Sequence, residues 1–558
     1  MRLTRPIEGR HLGQLHIFHE AQVMELDAAM TEGMDGNKIN DDIDALPNMG
    51  NGNDNNTHND TVSISQARLD AILSKMIIVV PCKDEDISVI RGVVAAIPAS
   101  CLVIIVSNCD RPVASTMIKD VNNGSNIDDP YAQLVALARR FGTWGRQVLV
   151  AHQKDREAAA AFKAAGITEL IGDDGLIRNG KGEGMLLGIA LAAAFAGKDR
   201  KYIGFIDADN LYSTSVSEYC RVFAAGFAMG GHGNNGDEDT MVRLRWASKP
   251  KINNGRLEFV SEGRCSRIVN SWLNGLFSLP GFGGTNNSTE GSINANTNTP
   301  LISTGNAGEH SMTLSLAMEL RMAAGYAIEP FHYIDLLSRG YLNNAQHIHD
   351  PETQLAPITK PVKIFQIRTL SPHFHRASDD GHIRRMWAAG LGSIYHGLAA
   401  FSKSIFPHRQ NRQDSTAANG ITAATTSTEN HGTAISTSDG ITSLRECIHS
   451  FATENHIRVV LENAANGTAK AKCFQTGILD SATGELPKAR VYPALSTMDV
   501  AKFRNMMVRA GTKSLLRGFR VPGLQQAHHQ NQQPAFGSVM VTPAGQISSE
   551  GLVQISSY

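Results

Sequence analysis

Two carboxylates separated by one residue follow a short apolar segment near the middle of the chain. Asp207 and Asp209 come directly after residues 202–206, which predict a buried parallel strand. In open α/β sheets, ligands bind beyond the carboxyl ends of the strands. Two close carboxylates repel each other there unless a cation compensates them, and Mg²⁺ commonly links such acids to substrate phosphates. The pattern suggests a metal-held nucleotide diphosphate, as in glycosyltransferases that use nucleotide sugars; a solvated turn or a helix N-cap is the alternative.

Two further segments have the composition of anion receptors. Residues 178–184 place three glycines around Lys181 just before a predicted helix, where backbone amides and the helix dipole favour phosphate. The spacing is not that of a Walker A loop. Gly263, Arg264 and Ser266 combine an open backbone, a guanidinium fork and a hydroxyl, which suit a phosphate or a carboxylate. The alternative for the first segment is a glycine-rich turn with a surface lysine. Taken alone, Arg264 is more often a salt-bridging surface arginine than an anion receptor.

The ends of the first two predicted strands face the same cleft. Lys83 and Glu85 follow the first strand, where a nucleotide base and ribose dock in a mononucleotide-binding half, and they could hydrogen-bond both. Ser107 and Asn108 end the second strand. An ordinary polar strand-to-helix turn is the alternative for this segment.

Two later segments are also rich in polar residues. Residues 302–310 predict a close-packed active-site turn that leads into a helix, in which Glu309 could instead be a first-turn helix acid. His373 and His375 lie on one side of a predicted extended segment. One of them could complete a metal site with Asp207 and Asp209, although a single histidine is more often structural.

The elements that would position these residues alternate between strands and helices, which predicts a mostly parallel sheet. Residues 241–246 alternate as in an edge or antiparallel strand, and residues 10–35 show no clear period. Strands are predicted at 76–80, 102–106, 147–151, 203–206 and 363–367, and helices at 86–97, 131–140, 184–196 and 312–324, with two more within 442–520.

Composition divides the chain into six parts. We predict an N-terminal segment with a polar insert at 36–61, a nucleotide-sugar-binding half, an acceptor-binding and metal-completing half with an insert at 282–299, a flexible linker, a helical C-terminal region and a disordered tail. Their predicted bounds are 1–75, 76–210, 211–408, 409–441, 442–520 and 521–558.

The overall charge and the cysteines exclude several classes of protein. Of 558 residues, 52 are Lys or Arg and 53 are Asp or Glu, so neither nucleic acid nor an anionic membrane is an expected partner. The seven cysteines are scattered without a Cys-x-x-Cys pair, which favours buried reduced thiols over zinc or disulfides. There is no apolar signal core and no run of membrane-spanning length, so we expect a soluble cytoplasmic protein.

Taken in order, the motifs resemble the mannosyl-3-phosphoglycerate synthase family, whose members have a GT-A-type fold. The similarity runs from about residue 10 to about residue 520. It is carried by residues 152–155, 178–185, 204–210, 224–227, 241–244, 249–251, 263–266, 304–310, 325–326, 329–330 and 372–375.

The resemblance implies an activity. Mannose would pass from GDP-mannose to D-3-phosphoglycerate with retention of the anomeric configuration, giving 2-O-(α-D-mannosyl)-3-phosphoglycerate, a precursor of mannosylglycerate, and GDP. A divalent cation would be required, Mg²⁺ or another such as Mn²⁺ or Co²⁺. A homodimer is a family-level expectation.

The resemblance also implies residue roles. Asp207, Asp209 and His375 would hold the metal, and His375 is preferred to His373 because the second histidine looks more essential to the motif. Asp207, Asp209, Lys181 and Arg264 would carry catalysis. The donor site would comprise Pro81, Lys83, Glu85, Ser107, Asn108, Lys181, Gly182 and Asp207, and the acceptor site Gly263, Arg264, Ser266, Thr304, Gly305 and Asn306.

Three other readings stay open. A related transferase could use GDP-glucose or UDP-glucose, or glycerate as acceptor. A sugar-phosphate nucleotidyltransferase should carry a glycine-rich loop with Arg and Lys directly after the first strand, and residues 79–83 lack one. A non-catalytic GDP-mannose-binding protein would not need Asp207, Asp209, Lys181 and His375 intact.

Overall fold

A computed structural model describes residues 1–27, 60–110, 129–231, 238–253, 256–277, 300–344, 357–375, 380–405 and 486–511. All of them lie in one compact unit, Met1–Phe519. The insert predicted at 282–299, the linker at 409–441 and the tail at 521–558 lie outside the described residues, as do residues 36–59 and much of the C-terminal region.

The described residues form a twelve-stranded sheet and two two-stranded sheets, β11–β12 and β14–β16. The large sheet has the order β5-β1-β4-β15-β10-β13-β9-β6-β7-β8, and β3 pairs with both β15 and β2. The strands are β1 (Arg2–Thr4), β2 (Glu8–Leu12), β3 (Leu15–Phe18), β4 (Ala21–Glu25), β5 (Thr61–Ser63), β6 (Met76–Cys82), β7 (Leu102–Ser107), β8 (Val148–His152), β9 (Tyr202–Phe205), β10 (Asp239–Arg245), β11 (Lys249–Asn253), β12 (Arg256–Val260), β13 (His310–Thr313), β14 (Met322–Ala323), β15 (Val362–Arg368) and β16 (Val491–Tyr492).

Helices connect and cover these strands, so the predicted α/β class with a mostly parallel central sheet is confirmed. The predicted helical C-terminal region contributes one described helix. The helices are α1 (Gln66–Leu73), α2 (Ile87–Ala96), α3 (Pro130–Thr143), α4 (Arg156–Ala164), α5 (Lys181–Phe195), α6 (Ser213–Met229), α7 (Arg264–Phe277), α8 (Leu314–Glu319), α9 (Ile328–Asn344), α10 (Asp380–Ile405) and α11 (Val500–Gly511).

Strand β6 lies at the centre of a parallel group in the order β9-β6-β7-β8. Its side chains alternate between two helical layers, as the pleat of a strand requires. Ile78 and Val80 join a core shared with α1, α2, α3 and α6, whereas Val79 meets Gly188 of α5. A Cβ at Gly188 would lie 2.6 Å from Val79 Cγ1, so the glycine lets α5 approach the sheet. The strand order reverses at β6, and this switch point is where a ligand is expected.

Local capping sets the helix starts around β6. Asp86 caps α2, because its side chain accepts a hydrogen bond from Ser88 N, and Asp129 caps α3 in the same way from Tyr131 N. Helix α2 ends before Pro98, as predicted, because a residue preceding proline is disfavoured in the helical conformation.

The second half of the sheet differs from the sequence-based expectation. Strand β13 inserts between β9 and β10 and is antiparallel to both. The antiparallel character predicted for residues 241–246 is confirmed, but their edge position is wrong. Strand β10 also pairs in parallel with β15, and all but its last residue are buried. Polar side chains such as Arg243 give this strand the alternating apolar and polar pattern of an edge strand. They are nevertheless buried, within a hydrogen-bond network.

One further prediction was wrong, and one segment without a clear period proves to be regular. Residues 8–25 form β2, β3 and β4: β2 and β3 pair as a hairpin, and β4 pairs with β1 and β15. The helix predicted over 312–324 is split into β13, the short α8 and β14, because sheet pairing at both ends outweighs the local helix preference.

Four of the described cysteines, Cys82, Cys101, Cys109 and Cys220, are buried free thiols, and Cys265 is half-buried. Burial raises the pKa of the Cys101 thiol to about 12, which keeps it protonated and unreactive. None of the described helices is long and apolar enough to cross a membrane.

Candidate active site

Asp207 and Asp209 lie directly beyond the carboxyl end of β9. Ile206 and Ala208 alternate with them and are buried, while the two carboxylate side chains stay 32% and 31% exposed. The Asn210 amide beneath the turn donates to the Asp207 carbonyl oxygen at 2.8 Å. The buried residues fix the turn, and both carboxylates remain accessible to a ligand.

Lys181 supplies a cation at the first position of α5. The residue before it, Gly180, has φ 153°, which lets the chain turn sharply into the helix. Lys181 Nζ lies 2.8 Å from Asp207 Oδ1 and 2.9 Å from Glu329 Oε1. Burial disfavours its charge, but the two carboxylates outweigh burial and raise the pKa of Lys181 well above its ordinary value. The ammonium is therefore permanently charged and fixed at the helix start.

Close packing behind this helix start explains Gly182. A Cβ there would lie 2.3 Å from the Ala323 carbonyl oxygen, so only glycine lets β14 pack against α5. The buried Glu183 accepts hydrogen bonds from Gly325 N at 3.0 Å and from the Tyr492 hydroxyl at 2.7 Å. Sequence reasoning predicted Gly182 as a donor-binding residue, and that role stays a prediction.

The end of β6 and the turn after it hold three of the predicted donor residues. Pro81 lies within β6, and Lys83 N donates a hydrogen bond to Glu85 Oε2 at 2.6 Å. Glu85 is close enough to Asp209 to raise the pKa of that carboxyl group. The turn and the carboxylate pair are therefore neighbours, and the donor-binding role of the turn stays a prediction.

The two predicted donor residues at the end of β7 are more deeply involved in the scaffold. Ser107 is fully buried, and its hydroxyl donates to Cys109 Sγ at 3.0 Å while its carbonyl accepts from Gln153 N at 2.7 Å. Asn108 N donates to the Cys82 carbonyl at 2.8 Å, which joins the ends of β6 and β7. Ser107 thus supports the strand ends instead of presenting its hydroxyl to the cleft.

The two histidines of the 372–375 segment have different surroundings. His373 is buried, stacks on Trp246 at 3.9 Å between ring centroids, and its Nδ1 hydrogen-bonds the Tyr219 hydroxyl at 2.9 Å. His375 is more exposed, with its Nδ1 3.9 Å from Asp209 Oδ2. Of the two imidazoles, His375 therefore lies beside the carboxylate pair.

A second lysine contacts His375. Lys249 Nζ hydrogen-bonds His375 Nε2 and lies 5.4 Å from the centroid of the Trp246 ring. Burial and the neighbouring Lys251 lower the pKa of Lys249 to about 8. Sequence reasoning noted Lys249 as part of a motif and assigned it no role.

Two carboxyl groups near Asp207 carry uncompensated charge. Burial and Asp207 raise the pKa of Glu309 to about 7, although its side chain accepts hydrogen bonds from Trp246 Nε1 at 3.1 Å and Asn210 Nδ2 at 3.2 Å. Burial, Asp207 and Glu85 likewise raise the pKa of Asp209 to about 7. Carboxyl groups with strongly raised pKa values are candidates for a functional role, although burial is the largest cause of both shifts.

The predicted acceptor residues Gly263, Arg264 and Ser266 lie at the start of α7. Arg264 is the first residue of the helix, and Arg267 N donates to the Gly263 carbonyl at 3.1 Å. Ser266 is half-buried in the first turn. This arrangement places open backbone amides where an anion is favoured.

Thr304 and Gly305 are held by the scaffold. The Thr304 hydroxyl lies 2.9 Å from both Gln366 Oε1 and the Tyr333 hydroxyl, and Gly305 N donates to Asn270 Oδ1 at 2.7 Å. Thr304 is 3% exposed. These two residues therefore fix the loop that precedes β13, and their predicted contact with the acceptor stays a prediction.

The C-terminal end of the same loop lies against Asp207 and Lys181. A Cβ at Gly308 would lie 2.6 Å from Asp207 Oδ2 and 3.2 Å from Lys181 Nζ. Asn306, between the two ends, is half-buried. The expected helix after this turn is wrong: Glu309 precedes strand β13 and is not a first-turn helix acid, because residues 310–313 complete the sheet between β9 and β10.

The three predicted metal ligands are near one another but are not assembled as a ready site. Among the described residues, only Glu8, His11 and His16 bring three such ligand atoms within 4.8 Å of one another, on the exposed β2–β3 hairpin. Asp207 instead pairs with Lys181, and His375 with a lysine of β11.

Sequence reasoning assigned no role to Glu329, Lys249 and Trp246, each of which contacts a residue of the candidate site. Glu329 fixes Lys181 from the first turn of α9, and Trp246 links Glu309 to His373. The available signals were a glutamate before a proline at a helix start and a tryptophan ending a strand, and neither pattern is specific for a site.

A parallel half-sheet, paired carboxylates beyond its switch point and a fixed lysine at a helix start form the arrangement expected of a GT-A-type glycosyltransferase. The chain also matches the family model for mannosyl-3-phosphoglycerate synthase over residues 5–507. It therefore belongs to the mannosyl-3-phosphoglycerate synthase family.

Curated relatives agree with this assignment. The chain is 37% identical over 345 residues to a mannosyl-3-phosphoglycerate synthase from Pyrococcus furiosus, covering 62% of this chain and 77% of the relative. It is 30% identical over 341 residues to the synthase of that name from Aeropyrum pernix, covering 61% and 77%.

Solved structures of glucosyl-3-phosphoglycerate synthase from Mycobacterium tuberculosis are more distant. One, in complex with Mn²⁺, UDP-glucose and phosphoglyceric acid, aligns with TM-score 0.34 and 15% identity over 60% of this chain and 84% of that one. Another, in complex with Mg²⁺ and UDP, aligns with TM-score 0.33 and 16% identity over 60% and 84%.

Proposed function

We propose that the chain transfers mannose from GDP-mannose to the 2-hydroxyl of D-3-phosphoglycerate with retention of configuration. The products are 2-O-(α-D-mannosyl)-3-phosphoglycerate and GDP. The observation that carries the proposal is the cluster of Lys181, Asp207 and Glu329 beside Asp209 and His375, within a chain that matches the family from residue 5 to residue 507.

The residues present fit a divalent cation. Asp207, Asp209 and His375 offer two carboxylates and an imidazole, a set compatible with Mg²⁺, Mn²⁺ or Co²⁺. The raised pKa of Asp209 supports this fit, because an added cation would restore its charged form. Bound there, the cation would neutralise charge on the leaving diphosphate.

The donor would lie across the switch point at β6. Its base and ribose would contact the turn that holds Pro81, Lys83 and Glu85, near the β7 end at Asn108. Its diphosphate would lie at the start of α5, where Lys181 shares the neutralisation of the leaving group. Glu329, in α9, would position Lys181, because its carboxylate holds the ammonium in place.

The acceptor would bind at the start of α7. Gly263 and Ser266 offer a backbone and a hydroxyl, and Arg264 supplies the charge for a phosphate or a carboxylate. Asn306 and the 304–308 loop would bound the acceptor on the side of Asp207, because Gly308 abuts that carboxylate. Holding the acceptor there brings its 2-hydroxyl to the anomeric carbon, which is a proximity effect.

We assign no side-chain nucleophile. Glu329 is bound to Lys181, and Glu309 accepts hydrogen bonds from Trp246 and Asn210, so both buried carboxylates have structural partners. Retention then follows from attack on the same face that the diphosphate leaves, with a leaving-phosphate oxygen accepting the acceptor proton.

Purified protein incubated with GDP-mannose, 3-phosphoglycerate and Mg²⁺ tests the proposal. We expect GDP release and a product with the mass of mannosyl-phosphoglycerate, and neither should occur with EDTA or without acceptor. NMR of the product should show the α-anomer. Product formation that is indifferent to EDTA, or GDP-mannose binding without any product, would contradict the proposal.

A further inference from the structure

Glu183 is a buried carboxylate that the proposed reaction does not use. It is the third residue of α5, and only 2% of it is exposed. Its carboxylate folds back over the helix start, because a Cβ at Gly180 would collide with Glu183 Oε2. This position suits an acid, since the helix dipole favours negative charge there. A buried carboxylate also needs hydrogen-bond donors, so its donors show which elements it holds together.

The first donor ties the start of α5 to the start of α9. Gly325 N donates to Glu183 Oε2 at 3.0 Å, and the short 3₁₀ turn Gly325–Ala327 leads directly into α9. These two helices carry the two members of an ion pair, Lys181 in the first turn of α5 and Glu329 in the first turn of α9. Lys181 Nζ lies 2.9 Å from Glu329 Oε1. The Glu183 carboxylate therefore fixes both helix starts between which that pair forms.

The second donor comes from the C-terminal part of the chain. Tyr492 is 1% exposed, and its hydroxyl donates to Glu183 Oε1 at 2.7 Å. Strand β16, which contains Tyr492, pairs with β14, and Ala324 N donates to the Arg490 carbonyl oxygen at 2.8 Å. Tyr492 thus approaches Glu183 from the strand beside the turn at Gly325. Loss of its hydroxyl would leave a buried carboxylate one donor short, which costs more than the loss of an exposed hydrogen bond.

We propose that Tyr492 is a positioning residue for Lys181. Its hydroxyl holds the Glu183 carboxylate, the carboxylate holds the starts of α5 and α9, and the Lys181 ammonium is thereby kept where the diphosphate of the donor leaves. Tyr492 acts from the far side of α5, because two residues turn an α-helix by about 200° and Lys181 and Glu183 project in roughly opposite directions. The catalytic consequence rests on the proposed function, whereas the link between the two helix starts does not.

Hydrogen exchange of Tyr492→Phe, measured by mass spectrometry, tests the link without using turnover. The substitution keeps the buried ring and removes only the hydroxyl. We expect amides in the first two turns of α5 and of α9 to exchange about tenfold faster than in the wild type, because a hydrogen bond to a buried charge is lost. In turnover assays, kcat should fall about tenfold. The KM for 3-phosphoglycerate should stay the same, because Arg264 and its neighbours lie on a different helix.

Two controls separate this role from a general loss of stability. Tyr202→Phe removes the hydroxyl of another buried tyrosine, at the start of β9 and so at the end of that strand away from Asp207. It should change neither the exchange at the two helix starts nor kcat. In a Glu183→Met background, which lacks the carboxylate, Tyr492→Phe should have no further effect on kcat, since a double-mutant cycle reports the interaction of the two side chains. Circular dichroism and thermal melts would establish that each variant is folded.

The outcomes separate this inference from the proposed function. Unchanged exchange at the starts of α5 and α9 in Tyr492→Phe, or equal effects of Tyr492→Phe and Tyr202→Phe, would overturn the link. Faster exchange at both helix starts with an unchanged kcat would overturn the positioning role. A folded wild type without transferase activity would overturn the proposed function and, with it, the catalytic half of this inference. The exchange experiment would still decide whether Tyr492 joins the two helix starts.

Discussion

At the scale of single residues, Asp209 should affect activity and stability in opposite directions. Its raised pKa means that its charge is poorly compensated in the metal-free protein. Asp209→Asn should therefore lower kcat about a thousandfold, as loss of charge stabilisation in a transition state does, while raising the melting temperature of the metal-free protein at pH 8. Steady-state kinetics and calorimetry with EDTA would measure both. A melting temperature that falls together with activity would indicate a structural role.

The pH dependence of metal binding follows from the same group. The folded-state pKa of Asp209 is about 7, raised above its ordinary value by burial, Asp207 and Glu85. In the metal-free protein this group favours folding at low pH, and its contribution is lost as the pH rises toward 7. A cation must displace the proton, so its affinity should fall up to tenfold per pH unit below about 7.

The rise in melting temperature on addition of Mg²⁺ measures the competition between the cation and the proton for Asp209. The Mg²⁺-induced rise in melting temperature should be larger at pH 8 than at pH 6, and Asp209→Asn should flatten the difference. An equal rise at both pH values in the wild type would show that no carboxyl group with a pKa near 7 takes part in binding the cation.

Arg264 tests the position of the acceptor. Arg264→Ala should raise the KM for 3-phosphoglycerate about 10- to 100-fold, the cost of losing a charge-assisted hydrogen bond, with little change in the KM for the donor. Arg267, which is exposed one turn further along α7, offers the control Arg267→Ala. If acceptor affinity were the same in Arg264→Ala as in the wild type, the acceptor site would have to lie elsewhere.

At the scale of elements, the start of α5 links packing to catalysis. Gly182→Ala would press a methyl group against the Ala323 carbonyl, 2.3 Å away, and so push β14 from the helix that carries Lys181. We expect a loss of about 1–3 kcal/mol in the free energy of unfolding together with lower kcat.

Gly92 in α2 provides the matched control, because a Cβ there meets nothing within 4 Å. Gly92→Ala should stabilise the protein by up to about 1 kcal/mol through better helix propensity, with unchanged kcat. Urea unfolding of both variants measures the contrast. Equal effects of the two substitutions would contradict the packing account of Gly182.

A strand or helix could be predicted from the sequence when the residues that determine it are close together in the chain. The strands β6, β7, β8 and β9 are continuous apolar runs with clear turn residues, so sequence alone located them. The pairing of β10 and the strand character of residues 310–313 depend on distant partners, which no local pattern encodes. Hydrophobic periodicity also failed where buried polar networks, such as that of Arg243, occupy sheet positions.

The residues of the candidate site also divide into those with a local sequence pattern and those that depend on contacts distant in the chain. Asp207 and Asp209 were predicted because strand ends meet at one edge of a parallel sheet, and Lys181 because glycines surround it at a helix start. Glu329 and Trp246 were missed because they reach the site from α9 and from the residue after β10, through contacts that arise only in the folded chain.

At the scale of the whole molecule, the two predicted halves share one continuous sheet. Strand β13 joins the parallel strands β9-β6-β7-β8 to β10 and β15, so the residues that we propose for the donor and the acceptor are fixed to a single framework. The glycine-containing loop before β13 then brings Gly308 against Asp207 and Lys181. A donor and an acceptor held on one framework can be aligned without large domain movement.

The most direct test of this account is a comparison of initial rates for two donors, GDP-mannose and UDP-glucose, each with 3-phosphoglycerate and with glycerate, in the presence of Mg²⁺. The account predicts the highest kcat/KM for GDP-mannose with 3-phosphoglycerate, and activity lost in Asp209→Asn. A higher kcat/KM for UDP-glucose or for glycerate would contradict the proposed substrates, and full activity in Asp209→Asn would contradict the site itself.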